Sequence, residues 1–154
     1  MDFFNGIMAN RIMWIALLAW LVAQFCKLIF HFLVERRLDF SCLKSSGGFP
    51  SSHTAIVCAL AGEIGKASGW SSPIFAVSVV LAVIVMYDAA NVRWAAGEQA
   101  RAINHLLDML LESNESTQWF GQEIPNEKLK EIMGHTPFEV FGGAILGMVI
   151  AAIF

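Results

Sequence analysis

Residues 12–34, IMWIALLAWLVAQFCKLIFHFLV, decide the fold of this chain. The stretch begins after Arg11 and stops at the charged run Glu35-Arg36-Arg37. As a helix it would be about 35 Å long, which is enough to cross a hydrocarbon core roughly 30 Å thick. It is too long for a signal peptide and lacks a small-residue cleavage site, so we expect it to stay as a transmembrane helix.

The composition of the whole chain indicates the same setting. Of 154 residues, 56% are hydrophobic and only 15% are charged, and the mean hydropathy is +0.59. We therefore predict one integral membrane domain over residues 1–154. A net charge of −3 excludes a strongly basic nucleic-acid surface. The three cysteines lack CxxC spacing, which argues against a disulfide framework or a zinc site.

Three further apolar stretches follow, at Thr54–Trp70, Pro73–Ala90 and Phe138–Phe154. A glycine- and serine-rich turn joins the first two and predicts a helical hairpin. The last contains Gly143 and Gly147, whose small-xxx-small spacing permits close helix packing. Packing within the monomer is the favoured interpretation, and a homo-oligomer through these glycines is the alternative.

The segment Asp88–Glu112 has the pattern of an amphipathic helix, because its apolar residues recur at helical spacing beside charged ones. We expect it to continue the third apolar helix into the membrane interface. Residues 113–131 are polar and are expected to form an exposed connection. The predicted fold class is all-α, a bundle of about four transmembrane helices plus this interfacial helix.

If all four apolar stretches cross the membrane, segments 35–52 and 91–137 lie on one face. The opposite face has Arg11 and Lys66. The positive-inside rule then predicts that the shared face is cytoplasmic, with both termini outside. The cations of the shared face are Arg36, Arg37, Lys44, Arg93, Arg101, Lys128 and Lys130.

The first chemical motif is Pro50-Ser51-Ser52-His53-Thr54. Proline favours a turn, a serine can cap the helix that follows, and His53 falls in the first helical turn. A helix start offers unpaired N–H groups and a positive dipole end, which suit a phosphate. Taken alone, the motif is better explained as an ordinary N-cap followed by a surface histidine.

The second motif is Gly134-His135-Thr136-Pro137-Phe138-Glu139. His135 and Glu139 are four residues apart and would share a helical face. The carboxylate would hold one imidazole nitrogen protonated and leave the other free as nucleophile or base. The alternative is a capping box in which Glu139 bonds the backbone of Thr136.

Cations complete a candidate phosphate site on the same face. Lys27 lies one turn from His31 in the first helix, where a charge costs roughly 2.5–3.5 kcal/mol unless it snorkels or pairs. Snorkelling explains Lys27 on its own. No two carboxylates are placed like a metal clamp, so we predict metal-independent chemistry without a cofactor. The phosphate-binding candidates are Lys27, Arg36, Arg37, Ser51, Ser52 and Arg93.

Four segments together resemble the divergent branch of the type-2 phosphatidic acid phosphatase superfamily, which includes vanadium-dependent haloperoxidases and bacterial acid phosphatases. They are Gly47–Ala55, Asp88–Arg93, Gly97–Ala100 with Asn104, and Gly134–Val140. The resemblance extends over nearly the whole chain from Lys27 onward.

The resemblance implies a phosphohistidine mechanism. In it His135 attacks phosphorus, Glu139 orients His135, and His53 protonates the departing oxygen. Lys27, Arg36 or Arg37, Ser52 and Arg93 would bind the phosphoryl oxygens. Possible supporting residues are Asp88, Gln99, Asn104 and Lys130.

This sequence departs from the superfamily pattern at three places. Val34 stands where an Arg-Pro pair is usual, Ser52 replaces a glycine, and Leu129-Lys130 stands near where a Ser-Arg pair is expected. Arg93 or Lys130 would then substitute for that arginine.

The function expected is hydrolysis of a membrane lipid phosphate monoester or diphosphate, of the phosphatidylglycerophosphate, phosphatidic acid or polyprenyl diphosphate class. The main alternative is a catalytically silent protein that binds phosphate lipids or assists assembly. A weaker alternative is a small transporter with a relay of Lys27, Glu63 and Lys66. Glu63 and Lys66 are three residues apart, however, and a mutual surface pair explains them better.

Overall fold

The protein is described here from a computed structural model, which describes residues 3–36, 47–112, 118–119, 122–123, 128–129, 131 and 134–154. The predicted all-α architecture is confirmed, with one small addition. Two-residue strands β1 and β2 pair in antiparallel fashion, with Gln118 opposite Glu123. The elements in chain order are α1 Phe3–Met8, α2 Arg11–Glu35, α3 Ser52–Ser68, α4 Pro73–Tyr87, a π-helical turn Asp88–Val92, α5 Arg93–Glu112, β1 Gln118–Trp119, β2 Gln122–Glu123 and α6 Pro137–Ile153.

Helix α3 lies at the centre of the bundle and packs against α2, α4 and α6. Small side chains permit this, since Ala19 of α2 and Ala59 of α3 are wholly buried where Ile15 and Ile150 also meet. These residues leave little room between the helices, so the backbones approach closely.

The two glycines of α6 have a specific use in this packing. A methyl group at Gly143 would collide with the carbonyl oxygen of Ser51, and one at Gly147 would collide with that of Ala55. Both glycines are buried against α3. The structure thus gives them the intrachain role that the sequence favoured over a dimer interface.

Among the residues that the structure describes, two helical segments are long and apolar enough to cross a membrane, namely Arg11–Val34 and Pro73–Met109. Helices α3 and α6 have 17 residues each and are shorter than a usual span. Much of the apolar surface faces outward, as at Val80 and Ile84 of α4, which are both 58% exposed. An outward apolar face of this extent suits lipid contact.

The amphipathic segment after α4 continues that helix, as predicted. Helix α4 passes through the π-helical turn Asp88–Val92 directly into α5 without a break. The backbone N–H of Arg93 closes the turn by donating to the carbonyl of Asp88. Single π-helical turns of this kind occur frequently at functional sites.

Candidate active site

A short loop fixes the start of α3 against the start of α6. The ring of Phe49 lies between Phe30, with an edge-on centroid distance of 4.9 Å, and Phe138, stacked at 5.1 Å. Just after the loop, the Ser51 N–H donates to the carbonyl oxygen of Glu139 at 3.0 Å. The two predicted motifs are therefore held side by side.

Ser51 is the N-cap of α3, as its motif predicted. Its Oγ accepts the Thr54 N–H at 3.4 Å, and the Thr54 hydroxyl lies 3.1 Å from the same oxygen. Ser51 is fully buried, and Ser52 is the first helical residue and is also buried. The Ser51 hydroxyl thus caps the helix, and the buried Ser52 belongs to its first turn.

His53 is half-buried, so the interpretation as a plain surface histidine is wrong. Its Nδ1 is buried and has no hydrogen-bond partner among the described residues. Its ring and that of His135 lie 6.1 Å apart between centroids, at an interplanar angle of 65°. The structure brings the two histidines together at one place.

Glu139 performs both of the roles that the sequence offered as alternatives. The capping box is present, since Thr136 Oγ1 accepts the Glu139 N–H at 3.3 Å and Glu139 Oε2 accepts the Thr136 N–H at 3.2 Å. The same Oε2 lies 2.9 Å from His135 Nδ1. The backbone of Gly48 also bonds this carboxylate. A carboxylate has about four lone-pair sites, so capping and orientation do not compete.

This arrangement selects the chemistry of His135. An ionised carboxylate only accepts hydrogen bonds, so the proton resides on Nδ1 and the lone pair of the neutral ring on Nε2. His135 is 1% exposed, and its Nε2 is buried without a partner among the described residues. Buried polar atoms are rarely left unpaired, and an unpaired one in a site of this kind suits a ligand.

The π-helical turn supplies both a cation and an anchor. Arg93 Nε lies 2.8 Å from Asp88 Oδ2 across the turn. The carbonyl of Ala89, within the same turn, accepts the His135 N–H at 2.9 Å. Asp88 therefore supports Arg93, and the turn holds the backbone of His135.

Lys27 lies close enough to His53 to act on it electrostatically, and the interpretation of it as a snorkelling residue is wrong. Its side chain is 4% exposed, whereas snorkelling would bring the ammonium group to water. Gly48, at φ 101°, lies over its methylene groups, where an added Cβ would be 3.3 Å from Cγ and Cδ. Lys27 and Arg93 both act electrostatically on His53. Two cations thus lie near the paired histidines.

Several predicted residues are not brought to the histidines. Arg36 is exposed at the C-cap of α2, about 13 Å along the helix axis from Lys27. Gln99 is exposed on α5, and Asn104 is buried but bonds Leu129 instead. Arg37 and Lys130 lie outside the described residues.

The site also depends on residues to which sequence reasoning gave no role. Gly134 lies so close to α5 that a Cβ would collide with the Trp94 backbone. Gly48 holds a positive φ and contacts both Lys27 and Glu139. Both glycines belong to the motifs that the sequence analysis identified, so the sequence offered a signal for them. The hydrogen bond from the His135 N–H to the Ala89 carbonyl uses a backbone group, so no residue type in the sequence indicates it.

The described part of the chain has no cluster of three or more histidine, cysteine, aspartate or glutamate residues placed to hold a metal. The groups around the histidines are the cations Lys27 and Arg93, a helix start, and the carboxylates of Glu139 and Asp88, which bond His135 and Arg93. Cations and a helix start are groups suited to an anion.

Comparison with known proteins matches the chain to a family and to a membrane protein. The model of the Divergent PAP2 family matches residues 8–150. The membrane protein YuiD of Bacillus subtilis (strain 168), which carries the description uncharacterized, is 42% identical over 141 residues, covering 90% of this chain and 89% of YuiD. No solved structure matches the chain.

Proposed function

We propose that this chain, which belongs to the Divergent PAP2 family, is a membrane phosphatase that hydrolyses a lipid phosphate monoester or diphosphate through a phosphohistidine intermediate. One observation carries the proposal. His135 is held at Nδ1 by Glu139 while its buried Nε2 has no partner among the described residues and its ring stands beside that of His53. A positioned nucleophile next to an acid is the arrangement that phosphoryl transfer to histidine requires.

In the first step, the Nε2 lone pair of His135 attacks phosphorus. The N–P bond forms as the bond from phosphorus to the leaving oxygen breaks, and protonated His53 gives its proton to that oxygen. The imidazole becomes cationic, and the Glu139 carboxylate stabilises it through Nδ1–H. The lipid alcohol, or the lipid monophosphate when a diphosphate is the substrate, then departs.

In the second step, water attacks the phosphohistidine. His53, now neutral, takes a proton from the water as the new O–P bond forms and the N–P bond breaks. Inorganic phosphate leaves, His135 returns to its neutral form, and His53 is protonated again. The charges balance over the cycle, with one water consumed.

The cations have a distinct task in this mechanism. Charge on the equatorial phosphoryl oxygens must be stabilised in the transition state, and preorganised donors do this best. Lys27, Arg93 and Ser52 at the helix start would supply them. Because the Asp88 bond uses Nε of Arg93, the terminal guanidinium nitrogens are assigned to the phosphoryl group.

The membrane setting defines the substrate class. In the proposed topology α2, α3, α4 and α6 all cross the bilayer, and the histidine site lies at its cytoplasmic edge. A substrate anchored by acyl or prenyl chains would reach the site from within the bilayer. Phosphatidylglycerophosphate, phosphatidic acid and polyprenyl diphosphates share this form.

The test is release of inorganic phosphate from a panel of these lipids by the purified protein in detergent, with the His135→Gln variant beside it. We expect release by the parent protein and none by the variant. His105→Gln, at an exposed position of α5, is the matched control and should retain activity. Release that persists in His135→Gln would overturn the mechanism. Lipid phosphate binding without any release would favour the silent binding protein instead.

A further inference from the structure

A buried amide on α5 holds the segment that leads to the nucleophile. Asn104 is 5% exposed, and its Nδ2 donates to the Leu129 carbonyl at 2.9 Å and to Glu131 Oε1 at 3.1 Å. Its Oδ1 accepts the Leu129 N–H at 2.8 Å. One side-chain amide therefore pairs with both groups of a backbone residue and with a carboxylate, using both of its donor hydrogens.

Glu131 extends this contact to the neighbouring turn of the helix. Its second oxygen lies 3.4 Å from Arg101 Nε, and Arg101 in turn contacts Glu98 at 2.6 Å. The hydrogen bond from Asn104 holds the pKa of the Glu131 carboxyl below its usual value, and Arg101 acts in the same direction. Glu131 is thus an anion at neutral pH, which strengthens the bond that Asn104 donates.

The other end of the same segment is held just as closely. Gly134 presses on the backbone of Trp94, and the His135 N–H donates to the Ala89 carbonyl. Leu129 and His135 are six positions apart in sequence, so both anchored points belong to one short segment that leads into α6.

We propose that Asn104 is a positioning residue for His135, which acts through Leu129 and Glu131 and without touching the substrate. A shift of the Leu129 anchor would displace the chain that leads directly to the nucleophile, because Leu129 is only six positions from His135 in sequence. The inference rests on the proposed function for its catalytic readout. The anchoring contact itself can be measured independently of activity.

The first measurement is hydrogen exchange of the Leu129 amide in the detergent-solubilised full chain. Asn104→Ala removes the acceptor, so protection of that amide should be lost. Asn104→Asp retains an acceptor oxygen but loses both donors and places a second carboxylate beside Glu131, so protection should persist in part. Unchanged protection in Asn104→Ala would overturn the anchor.

The second measurement is turnover of a lipid phosphate. Asn104→Ala and Asn104→Asp should lower kcat by about 10–100-fold at nearly constant KM, because a small displacement of a reacting group has effects of this size. The matched control is His105→Ala, at the exposed position next to Asn104. Activity equal to that of the control, or a loss that only follows the folded fraction, would overturn the positioning role.

A swapped pair separates positioning from general damage. In Asn104→Asp combined with Glu131→Gln, the amide donor is at position 131 and the carboxylate acceptor at position 104. Part of the kcat lost in Asn104→Asp should return, since the repulsion is removed and a hydrogen bond can form again. A double variant no better than Asn104→Asp would count against the proposed contact.

The proposal survives or fails separately from the phosphatase assignment. If the parent protein releases no phosphate from any lipid, the proposed function falls. The readout is then the imidazole resonances of His135 by NMR. Asn104→Ala must shift them and His105→Ala must not, and unshifted resonances in Asn104→Ala would overturn the positioning role.

Discussion

The two ends of α3 both carry ionisable groups, but they differ in how those groups are satisfied. At the far end, Lys66 Nζ contacts Glu63 Oε1 at 2.7 Å and the Ala151 carbonyl at 2.7 Å. At the start of the helix, His53 Nδ1 is buried without a partner among the described residues. Charge inside an apolar bundle is therefore not by itself a functional signal. A buried hydrogen-bonding atom without a partner, such as His53 Nδ1 among the described residues, is the more informative signal of a functional site.

The comparison also resolves the transporter alternative. The predicted Glu63–Lys66 pair is present, with Lys66 exposed and Glu63 buried. Lys66 borders an apolar cavity of about 550 Å³. Lys27 lies instead with Gly48 at the histidine end. The three residues thus belong to two separate places and do not form a relay.

The largest expected effect tests the histidine end. Glu139→Gln should lower kcat by about 10²–10⁴-fold, because a neutral amide stabilises the imidazolium poorly and permits the wrong tautomer. Glutamine still serves in a capping box, so thermal stability should change little. Turnover and melting temperature measured together decide the point. Full activity in this variant would retire the proposed His135–Glu139 pair.

A loss of stability is expected at the far end. Lys66→Met leaves the buried Glu63 carboxylate without its cation, and because the Lys66 side chain is 37% exposed and the pair is partly screened, the loss should be about 1–3 kcal/mol. Turnover per folded molecule should be unchanged. The double variant with Glu63→Leu should recover most of the stability, since neither charge remains. A selective loss of kcat in Lys66→Met would break the distinction between the two ends.

Much of this fold was predictable because helix signals are local. The apolar stretch Phe138–Phe154 became α6 at Pro137–Ile153, and Thr54–Trp70 became α3 at Ser52–Ser68. Proline at the first helical position and the serine and threonine caps mark those starts. The histidines were predicted to lie on one face by counting four membrane crossings; the structure brings their rings together, and the number of crossings stays a prediction.

The rest of the site depends on tertiary contacts that have no local pattern. Lys27 is predicted to snorkel by any rule that considers one helix alone, and it is buried because the Gly48 loop lies over it. The π-helical turn Asp88–Val92 has no sequence signature that separates it from α-helix. Asn104 was predicted as a possible supporting residue near the histidines. Its hydrogen-bond partners are instead Leu129 and Glu131, which are 25 and 27 residues away in sequence.

Vanadate offers a smaller but direct test of the histidine end. Vanadate adopts the trigonal-bipyramidal geometry of an attacked phosphate, so it should compete with substrate and bind at least about 10²-fold more tightly than inorganic phosphate. Inhibition kinetics with both anions provide the comparison. The proposed steps use no metal, so EDTA should leave the rate unchanged. Activity lost in EDTA and restored by magnesium would contradict them.

The smallest expected effect separates capping from chemistry within one motif. Thr136→Ala removes the oxygen that accepts the Glu139 N–H, and loss of such a cap costs about 0.5–2 kcal/mol. The Glu139 carboxylate keeps its bonds to His135 and to the Thr136 backbone, so kcat should stay close to that of the parent protein.

The matched control for this last prediction is Ser72→Ala, which removes the equivalent N-cap of α4, at the turn of the α3–α4 hairpin. Ser72 Oγ accepts the Phe75 N–H at 3.3 Å, so the loss of stability should be similar. Thermal unfolding and turnover of the two variants give the answer side by side. If Thr136→Ala loses far more activity than Ser72→Ala at equal stability, then the cap itself holds Glu139 in position for His135. Capping and catalysis would then be one function of the motif, because the orientation of the nucleophile would depend on the end of its helix.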